Sequence, residues 1–458
     1  MMLTPIVGDS AHSGKAFLTG QSQNFEFVDS ADLEARGSRK NANLGQGSWW
    51  HATYHLATTI ATPAAYAALP NAFSGMGWIG GVICLFCGWT LSCYNSLLLC
   101  TMFNHNGKRH ERYAHLAREI YGEPGYWMVT FFQQIASLGN NVAVEIAAGL
   151  AMQSIYMIYM PDGLMTLQHF IIIFAAFQLI LSQLPDIHSL TYLNILCTVC
   201  TVGFAFTCLG LSVANGNELD RSTVTYAVLD QQDPAPVVFT VLASLGVISF
   251  AFGDTILPEI QATLKAPTIR NMQLGVLSAY GIIGVTYFIV ACAGYWAFGY
   301  GVPVYLPQSF TDPNWALVLV NIFAIVQIAG CFQIYCRPTY EWASLKFEDP
   351  TQGPWSRHNI ISRFGVTFTY SCLMTLVSCA VPFFGDFVAL VGAMGFTPLD
   401  FVLPLLFFNA VNPDAPRLLR MFHYFIAACY SSVALLGFIG AVRWISVHIE
   451  TYSFFANL

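Results

Sequence analysis

Runs of about 20 mostly apolar residues recur along the chain from near Ser48 onward, and a run of this length is what an α-helix needs to cross a bilayer. We count eleven such runs. Their approximate centres are Ala61, Trp89, Gly139, Phe177, Gly203, Gly246, Gly284, Val326, Leu373, Asp400 and Leu435. Only 9% of the residues are charged, too few to cover the surface of a water-soluble fold. The sequence therefore predicts an all-α membrane protein with eleven transmembrane helices.

The basic residues predict how these helices are oriented. With the amino terminus in the cytosol, 16 of the 18 Lys and Arg residues fall on the cytosolic side, as the positive-inside rule requires, and only Arg221 and Arg443 fall outside. An odd number of spans then puts the carboxyl terminus outside the cell. The net charge is −7 and the basic residues form no patch, so we expect no nucleic-acid partner.

The first apolar run contains a helix-breaking residue in its middle. Pro63 has no backbone N–H, and its ring disfavours the helical conformation of Thr62. An opened helix in lipid leaves backbone groups unpaired, so it persists only where protein or a water-filled cavity covers it. We predict an unwound stretch at residues 61–64, with a simple proline kink as the alternative.

The sixth run has a matching interruption. It contains Gly246 and Gly253, Asp254 follows the second glycine, and Pro258 closes the segment. The two interruptions are five spans apart, and a five-span repeat returns inverted in the membrane because five is odd. Paired interruptions of this kind mark a binding site near the middle of the bilayer in inverted-repeat transporters.

The chain then divides into five predicted parts. These are a disordered cytosolic tail, a first five-helix repeat, an extracellular loop, a second, inverted five-helix repeat, and an eleventh helix with the carboxyl terminus. Their bounds are residues 1–46, 47–215, 216–235, 236–411 and 412–458.

Three ionisable residues lie inside the predicted spans: Glu145, Asp254 and Asp400. A central Asp costs about 2.5 to 3.5 kcal/mol to insert, so such residues usually face a cavity, a partner or an ion path. Asp254 is the strongest functional candidate because it belongs to an interruption. Glu145 has either a functional role or a pairing role, and Asp400, between two prolines, is predicted to cap freed backbone donors.

Several strings resemble the amino acid/auxin permease family and, within it, the plant-type GABA transporters. They are SWWHATYHLATTIATPAAYAALPNAF from Ser48, GKRHERYAHLAREIYG from Gly107, PEIQAT from Pro258, GYWAFG from Gly294, FGDFVALVGAMGFTPLDFVLPLLFFN from Phe384, and AVRWISVHIETYSFFA from Ala441. The resemblance implies an eleven-helix, LeuT-like fold of 5+5 inverted repeats plus one helix, with helices 1 and 6 discontinuous. It also implies proton-driven import of small amino acids across the plasma membrane.

Two positions refine this resemblance. Relatives that use sodium tend to carry Asn in the first broken helix, where Thr59 stands here, which favours protons. The GABA transporters tend to be uncharged where this chain has Asp254. The implied partners are a small zwitterionic amino acid, protons and the lipid bilayer, without a cofactor or a metal ion.

A zwitterionic ligand needs hydrogen-bond donors for its carboxylate and acceptors for its ammonium group, and broken helices supply both. The predicted substrate-binding residues lie at the two interruptions and on the third span: Thr59, Ala61, Thr62, Pro63, Ala64, Ala65, Tyr66, Asn141, Ser249, Phe250, Phe252 and Gly253. The amides of Ala64 and Ala65 would face the carboxylate. The ammonium would meet Asp254 or nearby carbonyls, and Asp254 or Glu145 would carry the coupled proton.

Three alternatives remain from the sequence. The first is a proton-coupled carrier of proline, other neutral amino acids or an auxin-like acid. The second is a sensor that binds an amino acid without sustained flux. The third, an intramembrane aspartyl protease, is suggested by Gly253-Asp254 and Gly385-Asp386, but Asp386 is expected in an outer connection, away from Asp254.

Overall fold

The computed structural model describes residues 45, 47–183, 190–226, 234–349, 351–353 and 355–451; the predicted tail lies outside these residues apart from position 45. The described residues form fourteen α-helices, with a π-helical segment, Gly392–Val402, between the twelfth and thirteenth. The helices are α1 Trp49–Ile60, α2 Pro63–Thr101, α3 Tyr113–Tyr159, α4 Leu167–Leu181, α5 Leu190–Glu218, α6 Pro234–Ala251, α7 Leu257–Ala262, α8 Thr268–Phe298, α9 Asn314–Tyr335, α10 Arg337–Phe347, α11 Arg357–Ala380, α12 Phe384–Val391, α13 Leu403–Val411 and α14 Arg417–Thr451.

Two of the long helices change direction at a glycine. Gly77 in α2 has φ 71° and Gly122 in α3 has φ 69°, a left-handed conformation that glycine adopts without a Cβ penalty. The part of α2 before Gly77 therefore completes the first apolar run, and the part after it forms the second.

Eight helical stretches of the described residues are long and apolar enough to cross a membrane, and two shorter apolar helices, Leu167–Leu181 and Pro236–Ala251, accompany them. The first of the two is the fourth predicted span, which has only 15 residues. The membrane-spanning, all-helical class is therefore as predicted, whereas the count of eleven spans stays a prediction.

Apolar side chains cover much of the outside of the helix bundle. Ile79 is 78% exposed and Leu376 is 66% exposed, although both lie in the middle of long helices. The interior, in contrast, buries polar side chains such as Asn140, Gln178 and Gln327. This distribution suits a lipid environment, because polar side chains in a bilayer turn toward one another inside the protein.

The packing places both interruptions in the centre of the bundle. Helix α1 packs against α5 and α8, and α6 packs against α2, α14 and the π-helical segment. Gly246 lies within the regular helix α6, so the prediction that it belongs to the interruption is wrong. Its role is close packing: a Cβ built on Gly392 would lie 1.9 Å from the Gly246 carbonyl oxygen.

Candidate functional site

The first interruption separates α1 from α2. Ala61 has φ −81° and ψ 69°, and Thr62 is extended, with φ −91° and ψ 147°; neither residue is helical. Pro63 is then the first residue of α2, where its missing N–H is not needed. The Thr62 hydroxyl oxygen accepts a hydrogen bond from the Ala65 amide at 3.2 Å and so caps the new helix.

The carbonyl groups released at this interruption accept hydrogen bonds from neighbouring helices. The donors lie on α5, α8 and α9: Gln327 Nε2 to Thr58 O at 2.9 Å, Tyr335 Oη to Thr59 O at 3.4 Å, Tyr287 Oη to Ile60 O at 2.7 Å, and Thr201 Oγ1 to Ala61 O at 3.2 Å. Among the hydrogen bonds of the described residues, none uses the Ala64 amide. That amide is therefore available to a ligand, whereas the Ala65 amide is occupied by its cap.

The second interruption spans residues 252–256, between α6 and α7. Its carbonyl groups also accept side-chain hydrogen bonds: Ser92 Oγ donates to Phe252 O at 3.3 Å, and Gln133 Nε2 donates to Thr255 O at 2.7 Å. The Gly253 amide bonds back to Phe250 O at 3.1 Å. Backbone exposed by the break is thus paired inside the protein, as a lipid environment requires.

Two tyrosines connect the interruptions to each other. Tyr287 Oη lies 2.7 Å from Ile60 O and 2.8 Å from Ala251 O, and Tyr335 Oη lies 3.4 Å from Thr59 O and 3.3 Å from Gly253 O. Each hydroxyl has one proton and faces two acceptors. At any moment, one carbonyl of each pair therefore lacks a donor from its tyrosine.

Tyr287 and Tyr335 are not among the site residues predicted from the sequence. The available signal was a phenol hydroxyl within a predicted span, since a buried hydroxyl must find a hydrogen-bond partner. Twenty-one tyrosines in the chain made that signal too common to single out these two.

The predicted site residues of α1 and α2 are all buried beside the first interruption. The Thr59 hydroxyl donates to His55 O at 3.0 Å, along its own helix, and does not point to the second interruption. The Tyr66 hydroxyl pairs with Thr286 Oγ1 at 2.7 Å, and its ring meets the Tyr287 ring edge to face at 4.7 Å. Tyr66 therefore forms an aromatic wall next to a tyrosine that bridges the breaks.

The predicted residues of the second interruption include two aromatic side chains. The Phe252 ring lies 5.4 Å from the Tyr287 ring, and the Phe250 ring lies 5.5 Å from the Phe396 ring. A Cβ on Gly253 would lie 2.2 Å from Phe396, so no larger residue fits there without displacing that ring. Ser249 is also buried in this region. Together these residues form a tightly packed, mostly aromatic lining around the second interruption.

The structure places the side chains of Glu145 and Asn141, both on α3, away from the two interruptions. Glu145 accepts hydrogen bonds from Thr375 at 2.8 Å and Ser378 at 3.0 Å, both on α11. Asn141 Nδ2 donates to Tyr370 Oη on α11 at 2.9 Å and to Phe332 O on α9 at 3.4 Å. Glu145 therefore faces α11, Asn141 lies between α9 and α11, and none of these contacts reaches either interruption.

Asp254 and Asp400 come together. The Asp254 amide donates to Asp400 Oδ2 at 3.1 Å, and the two residues are 3% and 8% exposed. Asp400 thus caps a freed backbone donor, as predicted, but that donor lies in the second interruption rather than on its own helix. Nothing in the sequence pattern indicates that these carboxylates are neighbours.

The start of α1 is tied to the end of α7. Gly47 donates from its amide to Thr263 O at 3.1 Å and accepts at its carbonyl from the Lys265 amide at 2.8 Å. Arg109 also donates to Ala262 O. These contacts hold the two broken helices together at the end of the bundle that the charge distribution predicts to be cytosolic.

Replacing Thr62 by alanine is expected to lower the free energy of unfolding by about 1 kcal/mol, because it removes the cap of α2. Thermal unfolding of the purified protein in detergent measures the change. Thr62→Ser keeps the hydroxyl and is the matched control, expected to unfold near the wild-type temperature. Equal stability of the alanine and serine variants would contradict the capping role.

Comparisons with known proteins agree with one another. A family model described as transmembrane amino acid transporter protein matches residues 45–443. GABA transporter 1 of Arabidopsis thaliana is 32% identical over 452 residues, covering 96% of this chain and 98% of that protein. Lysine histidine transporter-like 6 of the same plant is 28% identical over 418 residues, covering 89% and 93%.

The fold is similar to that of a solved transporter structure. That structure is the substrate-bound outward-open state of a Na+-coupled sialic acid symporter, with a TM-score of 0.54, and the match covers 90% of this chain and 92% of that one. The sequence identity is 10%, so the similarity concerns the fold alone.

Proposed function

This chain belongs to the transmembrane amino acid transporter family, and from that premise we propose that it imports GABA or a related small amino acid by proton symport. The observation that carries the proposal is the pair of helix interruptions joined by Tyr287 and Tyr335. A transporter needs a site that holds a zwitterion and then releases it to the other side. The four carbonyls that share these two hydroxyls have unused acceptor capacity for such a ligand.

The proposed architecture has eleven spans, with helices 1 and 6 discontinuous. The repeats are residues 47–215 and 236–411, inverted with respect to each other, and the amino terminus is cytosolic in a plasma-membrane protein. The interruptions after α1 and α6 support this assignment, since each repeat then begins with a broken helix.

The substrate carboxylate is proposed to bind at the amino-terminal end of α2. The Ala64 amide is unoccupied there, and the helix dipole gives that end a partial positive charge. The ammonium group supplies three donors, which suits the carbonyls that share the tyrosine hydroxyls. Phe252 and Tyr66 would enclose the methylene chain of the substrate. Both rings pack closely against the Tyr287 ring, and this close packing favours a small substrate.

Proton symport would make uptake of a zwitterion electrogenic. One net charge moves inward in each cycle, which contributes about 2.3 kcal/mol per 100 mV of membrane potential. That energy supports roughly fifty-fold accumulation of the substrate. Uptake should therefore increase with both membrane potential and external acidity.

Two-electrode current recording across a panel of amino acids, at two external pH values and with sodium replaced, tests the proposal. We expect GABA or another small amino acid to evoke an inward current that grows in acid and persists without sodium. Cells that do not express the protein are the control. A current that requires sodium would overturn proton coupling, and a response only to proline, a neutral amino acid or an auxin-like acid would reassign the substrate. Absence of any substrate-dependent current or uptake would overturn the transport function.

A further inference from the structure

Asp254 and Asp400 form a buried carboxyl pair at the second interruption. Asp400 Oδ2 accepts the Asp254 amide at 3.1 Å, and Asp254 Oδ1 accepts the Ile256 amide at 3.3 Å. The remaining oxygen, Asp254 Oδ2, is buried and has no hydrogen-bond partner among the described residues. A buried acceptor without a donor is costly, and a bound proton would remove that cost by converting one carboxylate to a donor.

Asn95 on α2 places a second buried acceptor without a partner next to Asp400. Its Nδ2 donates to the Asp400 backbone carbonyl at 2.7 Å, while its side-chain oxygen is buried and also lacks a partner among the described residues. Asn95 is 1% exposed. Unpaired, buried acceptors therefore lie on two elements that contact Asp400.

The titratable groups around the pair carry no positive charge. They are Cys100 on α2, Tyr113 on α3, Tyr280 on α8 and Tyr335 on α9, all neutral at physiological pH. Glu259 on α7 accepts the Tyr113 amide at 3.3 Å and interacts with Arg112. Among the described residues, no ion pair includes either aspartate. Two neighbouring carboxylates without a cation cannot both stay ionised at low cost.

We propose that Asp254 and Asp400 form a single proton-binding site, sharing one proton, and that this site carries the coupled proton in place of Glu145. The inference rests on the proposed transport function. Protonation lets the two residues stay in contact and holds the second interruption closed against the π-helical segment. Loss of the proton creates repulsion between two carboxylates and separates them. The proton binds from one side, adds to a carboxylate oxygen, and leaves to the other, so that one proton crosses per cycle.

Purified protein reconstituted in liposomes tests the proposal through two separate readouts. Accumulation of radiolabelled GABA driven by a pH gradient, followed with a pH-sensitive dye inside the liposomes, measures coupling. Exchange of labelled for unlabelled GABA at equal pH measures substrate binding and translocation without net proton flow. We expect Asp400→Asn and Asp254→Asn each to lose at least tenfold in accumulation and proton flux while exchange continues. The double variant should lose no more than either single variant, because the pair acts as one site.

Asp386→Asn is the matched control. Asp386 lies in the first turn of α12, before the π-helical segment that contains Asp400, and pairs with His448 at 2.5 Å. Its replacement should leave accumulation and proton flux unchanged. Size-exclusion profiles show whether each variant folds, and Asp400→Glu, which restores the carboxyl group, should recover proton flux.

Proton-coupled accumulation that survives in Asp400→Asn would overturn the shared site. So would loss of coupling in Glu145→Gln with coupling retained in both aspartate variants. These results differ from a failure of the proposed function, in which the wild-type protein shows neither accumulation nor exchange of any amino acid in the panel.

Discussion

Replacing Tyr287 by phenylalanine is expected to lower the maximal rate of amino acid uptake roughly tenfold or more. The change removes one hydroxyl that lies within 2.8 Å of carbonyls on both broken helices, Ile60 O and Ala251 O. A buried carbonyl left without its donor costs about 1 to 3 kcal/mol. The hydroxyl joins two helices that must move relative to each other during transport. Its loss therefore changes the equilibrium between the conformations in which these helices are arranged differently. Uptake of labelled substrate against concentration, normalised to surface protein, measures the effect.

Tyr295→Phe is the matched control for this prediction. Tyr295 lies two turns further along α8 and donates to Tyr226 O at 3.2 Å, away from both interruptions. Its loss should leave the uptake rate close to wild type. If the Tyr287 and Tyr295 variants transport equally well, the bridging hydroxyl has no part in transport.

Replacing Gly392 by alanine is expected to lower the folded-to-unfolded ratio of the protein roughly a hundredfold. The added Cβ would lie 1.9 Å from Gly246 O and 2.7 Å from the Phe250 amide nitrogen, both backbone atoms of α6. Backbone cannot move aside as a flexible side chain can, so α6 and the π-helical segment would have to separate. Overpacking of this kind costs about 3 kcal/mol, which corresponds to a factor of roughly 100 in the folded-to-unfolded ratio. Thermal unfolding of a tagged protein, followed by fluorescence-detected size exclusion after heating, measures the loss of stability.

Gly281→Ala on α8 controls for the glycine-to-alanine change itself. Nothing lies within 4 Å of a Cβ at that position, so alanine should be neutral or slightly stabilising there. A wild-type unfolding temperature for Gly392→Ala would show that the two backbones are not in the close contact described.

The family and the helical class were predictable because they depend on features that are continuous along the chain. The resemblance identified from the quoted strings is confirmed by the family model over residues 45–443. The effect of Pro63 was also predictable, since a missing N–H and a clash with Thr62 act on neighbouring residues. The roles of individual buried polar residues were harder to predict from the sequence. Asp254 and Glu145 were both predicted as candidates for the coupled proton, with Asp254 the stronger, but the sequence did not show that Glu145 pairs with α11 while Asp254 contacts Asp400.

The amino-acid sequence by itself determined that this chain crosses a membrane many times and that its first span opens at a proline. Those properties follow from hydrophobicity and backbone geometry within one segment. Only the tertiary structure decided that Asp400 meets Asp254, 146 residues away, that Tyr287 and Tyr335 each reach both interruptions, and that Glu145 turns to α11. The physical reason is that the contacts of a buried side chain depend on how each helix is rotated against its neighbours. In an apolar helix, that rotation is set by packing between distant segments rather than by a polar face in the sequence.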